Sequence, residues 1–173
     1  MSVSLDDAYV KTCLQILRAL AGQLEKAEAH CEASGIPAET LTEARLAPDM
    51  WPFAKQVFEA GHHSARAIEG VREGLFGPEL DPVPSDFATL REEVARSIAT
   101  LEGVEPGELD AIAERDMRFE FKSYRMDFTV ADFLLSFSLP NFFFHATTAY
   151  DLLRSQGVAI GKGDFLGKTR RKA

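Results

Sequence analysis

Val10, Leu14, Leu17, Leu20, Ala21, Leu24 and Ala27 recur every three or four residues, the period of one face of an α-helix. The pattern predicts a first helix over about 4–33. Ser4 is placed to cap it, and Asp6 and Asp7 lie in the first turn, where the helix dipole favours acids. Gly35 and Pro37 end it. After a connector with one short helical turn, Phe53, Val57, Ala60, Ala67, Ile68 and Val71 form a second stripe, from a start near Asp49 to a stop at Gly74. Asp49 is its expected N-cap, and Pro52 falls in the first turn. Ser64 is the one polar member of that stripe and can bond back to the carbonyl of Ala60. The proline-rich run "LFGPELDPVPSD" reads as a loop. Phe87, Leu90, Val94, Ile98 and Leu101 then predict a third helix over about 85–101, capped by Ser85 and broken by "GVEPG".

The period then changes from helical to alternating. Phe119 and Phe121 face Met126 and Phe128 across a turn at Lys122–Arg125, which predicts a β-hairpin over about 118–128. Thr129 and Asp132 have the spacing of a capping box for a last helical region, about 130–156. Pro140 inside it must kink or split the helix. Gly157 stops it, and residues 158–173 read as an extended tail that packs Phe165 and Leu166. The expected fold is all-α: one domain over 1–173, a four-helix bundle with a small β-hairpin insertion before the last helix.

Composition narrows the functions. Hydrophobic residues are 46% of the chain, enough for a core, and the net charge is −8 with no basic stripe, so binding to duplex nucleic acid is not expected. The basic tail, Lys168, Arg170, Arg171 and Lys172, reads as a frayed, solvated end. Cys13 and Cys31 sit five turns apart on the first helix, about 27 Å, too far for a disulfide, and are expected as buried thiols. No run of apolar residues is long enough to span a membrane, and Asp6 and Asp7 stand where a signal peptide would be basic or apolar. The expected location is the cytoplasm.

His145 carries the sharpest question. Asn141, His145, Thr148 and Leu152 share one helix face, and Phe142, Phe143 and Phe144 make the helix start apolar nearly all round. A buried histidine there is either a core residue bonded to Asn141 or Thr148, or a metal ligand or acid–base group. On the second helix His63 lies at the edge of the inward stripe, one turn after Glu59, and His62 points more outward. "EAGH" at 59–62 matches E-x-x-H only once, where di-metal bundles need two copies. There is no H-x-x-x-H, no C-x-x-C and no G-x-S-x-G. The glycines of "GKGDFLG" follow a helix instead of leading from a strand into one, which argues against a phosphate loop.

"LAPDMWPFAKQV" at 46–57, "SLPNFFFHATTAYDLLRSQGV" at 138–158 and "IGKGDFLG" at 160–167 together resemble DUF1993, a family of domains of unknown function in the DinB/YfiT-like superfamily. The resemblance implies an up-down-down-up four-helix bundle, often dimeric. It also implies, in many members, a divalent metal held by three histidines, two of them an H-x-x-x-H pair on the last helix. Some members transfer thiols such as bacillithiol or mycothiol, and others are isomerases. Aligned on Arg154 and Gly157, the second histidine of that pair falls on His145 and the first on Asn141. Aligned on Trp51, the helix-two ligand falls on Glu59, with the histidines three and four residues later. Asparagine is a neutral oxygen donor, poor for zinc or nickel. The expected site is therefore a degenerate one, made of His145, Asn141 and either Glu59 or His63, for Zn or Ni, whose ion would activate a water or thiol. The rival reading is a non-catalytic bundle that binds a small apolar ligand or a protein partner, with Phe142, Phe143 and Phe144 as core or pocket wall. A two-fold homodimer with an apolar interface is expected in either case.

Overall fold

Gly35 adopts φ 64°, in the left-handed region, and its N–H caps the carbonyls of Cys31 and Glu32 at the end of helix α1. The computed structural model describes residues 3–172. Helix α1 opens with a π-helical turn, Asp6–Val10, and continues as α-helix over Lys11–Ser34. Ser4 Oγ accepts the N–H of Asp7 at 3.1 Å, as the sequence implies. A short helix α2, Glu39–Thr42, lies in the connector.

Helix α3 comprises Phe53–Gly61, a π-helical turn His62–Arg66 and Ala67–Glu73. It starts after Pro52 rather than at Asp49: the N–H of Phe53 bonds the carbonyl of Ala44 at 2.9 Å, so the connector itself serves as the cap. Helix α4, Phe87–Glu102, is capped by Asp86, whose Oδ1 accepts the Thr89 N–H at 2.8 Å, and not by Ser85. Helix α5, Glu108–Ile112, leads into the sheet.

Strands β2, Asp116–Phe121, and β3, Tyr124–Thr129, form the expected hairpin, somewhat longer than the pattern implies. Its turn is tighter, only Lys122 and Ser123, with Lys122 at φ 54°. A third strand, β1, Leu75–Phe76, pairs parallel to β2 from within the segment read as loop. The fold is thus mainly helical with a three-stranded sheet ordered β1-β2-β3, not all-α with a lone hairpin. Two residues are too short a run to show alternation.

Helix α6 starts at Val130–Asp132, passes through a π-helical turn, Phe133–Ser138, and continues over Leu139–Ser155. Thr129 Oγ1 accepts the N–H of Asp132, confirming the cap. Pro140 does not split the helix. It sits just past the widened turn, which already shifts the i→i−4 hydrogen bonds that proline would break. The tail is not extended. Val158 and Ile160 are buried, and helix α7, Lys162–Leu166, lies on α1, where Gln15 and Gln23 donate to the carbonyls of Leu166 and Asp164. Arg170 donates to the Asp7 carbonyl, so the basic end folds back along α1 instead of fraying freely.

The four long helices meet in a ring, α1 against α4 and α6, and α3 against the same two. Leu17, Leu20, Phe53, Ile68, Leu90 and Phe142 fill its interior, each contributing about 1.5–3 kcal/mol by leaving water. Cys13 and Cys31 are free and buried on α1. Among the described residues, no helix is long and apolar enough to cross a membrane.

Candidate metal centre

The π-helical turn in α3 inserts a kink at His63 (φ −81°, ψ 16°). Glu59 and His63, one turn apart, share the inward face of the helix. Both side chains are buried, and both face His145 on α6. One ligand atom from each of Glu59, His63 and His145 lies within 4.8 Å of the other two. His63 Nε2 is 3.9 Å from Glu59 Oε2, and the two imidazoles stack with centroids 5.7 Å apart and planes 13° from parallel.

The tautomer of His145 follows from its partner. His145 Nδ1 lies 2.7 Å from Gln56 Oε1. Gln56 is oriented by its own amide nitrogen, which donates to the Trp51 carbonyl at 3.1 Å. Nδ1 therefore donates to the amide oxygen, and the Nε2 lone pair is left for the cluster. His63 is less satisfied: its Nδ1 is buried with no hydrogen-bond partner. Burial pushes the His145 imidazole down to about 4, helped by His62 and Lys55, and the His63 imidazole down to about 2, helped by His62 and His145. Both rings are neutral at pH 7, the state a metal requires.

Glu59 is held on its other oxygen. Lys55 Nζ lies 2.9 Å from Oε1, and also stands 5.4 Å over the Trp51 ring. Trp51 in turn stacks on His145, 5.8 Å between centroids and 17° from parallel. His145 is thus sandwiched between Trp51 and His63. A cavity of about 280 Å³ opens onto Glu59, His63, His145 and Asn141, with Trp51 and Phe137 among its walls.

All four residues expected from the sequence therefore line one cavity, but not with the expected bonds. Asn141 Nδ2 donates to the Phe137 carbonyl and Thr148 Oγ1 to the Phe144 carbonyl, each one turn back on α6. Neither is the partner of His145; Gln56 is. Ser64 Oγ does bond the Ala60 carbonyl, at 2.6 Å. His62 Nε2 is bonded to the Gly77 carbonyl at 2.9 Å and its ring packs on Phe76, so the E-x-x-H pair does not assemble. The sequence reading missed Gln56 and Lys55. Gln56, Glu59 and His63 stand at i, i+3 and i+7, a signal that one helix face gathers all three.

The donor set fits a divalent ion. Two imidazoles and a carboxylate are a recurrent ligand combination for zinc and for non-haem iron, and the His63 nitrogen turned toward Glu59 is Nε2, 3.9 Å from Oε2. A tetrahedral ion with bonds of about 2.1 Å sets its ligand atoms about 3.4 Å apart.

Over nearly its whole length the structure is similar to the crystal structure of a DinB family member protein from Shewanella denitrificans, with 28% identity, a TM-score of 0.82, and coverage of 98% of this chain and 95% of that one. The class of fold is DinB-like. Within that class the family described as Domain of unknown function (DUF1993) matches residues 5–166, and the chain belongs to that family. No curated protein matches it.

Proposed function

We propose that this protein is an up-down-down-up four-helix bundle of the DinB type that binds one divalent ion, zinc or nickel, through Glu59, His63 and Nε2 of His145. The observation that carries the reading is the convergence of three buried donors, one ligand atom from each lying within 4.8 Å of the other two. Asn141 lines the same cavity and would orient a molecule entering it. A bound ion supplies Lewis acidity toward an oxygen or sulfur ligand. The chain's own residues do the rest: Gln56 holds the Nδ1–H tautomer of His145, and burial keeps both imidazoles unprotonated. Elemental analysis of protein purified without a histidine tag tests this. About one ion per chain is expected for wild type and a marked loss for His145→Ala; wild-type protein without metal after incubation with zinc or nickel would contradict it.

The aromatic lining favours a second reading, a cavity for a small apolar ligand without metal chemistry. Undiminished binding of a small apolar probe after chelation, in a chain that takes up no ion, would favour it.

A further inference from the structure

Among the described residues three helices carry a π-helical turn, and all three turns meet at one atom. The kink at His63 turns its carbonyl out of the α3 hydrogen-bond ladder. Tyr9, in the π-helical turn of α1, donates its hydroxyl to that carbonyl at 2.8 Å. Ser138, the last residue of the π-helical turn of α6, donates to the same oxygen at 3.0 Å. The two hydroxyls are themselves 3.1 Å apart, and Tyr9 and Ser138 are fully buried. A buried carbonyl expelled from its ladder costs about 1–3 kcal/mol if unpaired, so the kink persists only while something receives it. Ser64 completes the repair on the other side, bonding the carbonyls of Ala60 and Gly61.

Glu59 and His63 stand at i and i+4 on one face of α3, and the kink, which follows His63, redirects the chain beyond it. We propose that Tyr9 and Ser138 are positioning residues for His63: by clamping its carbonyl from α1 and α6 they fix the backbone from which the imidazole reaches His145. This rests on the metal reading for its purpose but not for its geometry. The clamp is contributed from both α1 and α6, so it also couples the aim of His63 to the helix that carries His145.

The test uses Tyr9→Phe, which removes one hydroxyl and keeps the ring, Ser138→Ala, Ser138→Thr, and Leu24→Ala as a core change away from the site. The first readout is the imidazole 15N and 1H resonances of His63 in metal-free full-length protein. They should move in Tyr9→Phe and Ser138→Ala, return toward wild type in Ser138→Thr, and stay in place in Leu24→Ala. Unmoved resonances in both hydroxyl-removing variants, or equal movement in Leu24→Ala, would overturn the inference. The second readout is zinc affinity of the folded protein, expected to weaken about tenfold for Tyr9→Phe, the low end for outer contacts of a ligand, and not for Leu24→Ala. Wild-type protein that fails to bind zinc would sink the metal reading alone, leaving the resonances to decide the role of Tyr9 and Ser138.

Discussion

His63 and His145 lie ring over ring, their centroids 5.7 Å apart and their planes 13° from parallel. The arrangement is stable because neither ring carries a proton at neutral pH. Lys55 rather than a histidine neutralises Glu59: its ammonium is 2.9 Å from the carboxylate, against 3.9 Å for His63. The site thus holds a buried carboxylate, its counter-cation and two unprotonated nitrogen donors.

Removing His145 strands its partner. In His145→Ala, Gln56 Oε1 loses the one hydrogen bond that reaches it from α6, at a cost of about 1–3 kcal/mol. Urea unfolding of metal-stripped protein should show that loss, and the double variant with Gln56→Leu should lose less than the sum of the two single changes.

Lys55 occupies the place of a positive charge beside Glu59. Lys55→Met should destabilise metal-free protein by about 3 kcal/mol, because it leaves a buried carboxylate unpaired. The same change removes the ion's competitor. Saturating zinc should therefore raise the melting temperature of Lys55→Met by more than it raises that of wild type, a comparison made by calorimetry.

The pH dependence of metal-stripped protein follows from the buried imidazoles. Above the unfolded-state value of about 6.5 neither state holds a proton on them, and they contribute nothing to the slope. Below it the unfolded chain takes up protons that the folded site refuses, down to about 4 for His145 and about 2 for His63. Stability should fall as pH drops from 6.5 toward 4, by about 1–2 kcal/mol per histidine at pH 5. Denaturant midpoints across this range check it. A variant with both histidines replaced by glutamine should show a flatter profile.

The sheet beside the site tolerates little added bulk. A Cβ on Gly77 would lie 2.9 Å from the backbone carbonyl of Glu120, which cannot swing away. Gly77→Ala should cost about 1–3 kcal/mol and loosen the His62 contact to the Gly77 carbonyl, as thermal unfolding and the His62 ring resonances would report.

Much of this architecture was legible because it is periodic or chemically marked. The stripes of Leu14 to Leu24 and Phe87 to Leu101, the stops at Gly35 and Gly74, the cap at Thr129 and the alternation around Phe119 each follow from local rules. Asp86 displaced Ser85 as a cap because adjacent residues compete for the same N–H groups, and a spacing rule does not choose between them. The π-helical turns were not legible. The carbonyl at the His63 kink is received by Tyr9 and Ser138, 54 and 75 residues away in the chain, a pairing no local pattern marks. The gathering of Glu59 and His63 with His145 was visible only as alternatives. The partner of His145 was missed because Gln56 lies on another helix, whereas Asn141 and Thr148, its neighbours in sequence, bond their own helix.

The central claim is that Glu59, His63 and His145 hold one ion, and anomalous scattering from crystals grown with zinc or nickel tests it most directly. The account predicts a single strong peak in the cavity, about 2.0–2.3 Å from Nε2 of His145, a ring nitrogen of His63 and a carboxylate oxygen of Glu59, absent in His63→Ala. A peak bound elsewhere, or no peak with Lys55 still on Glu59, would contradict it.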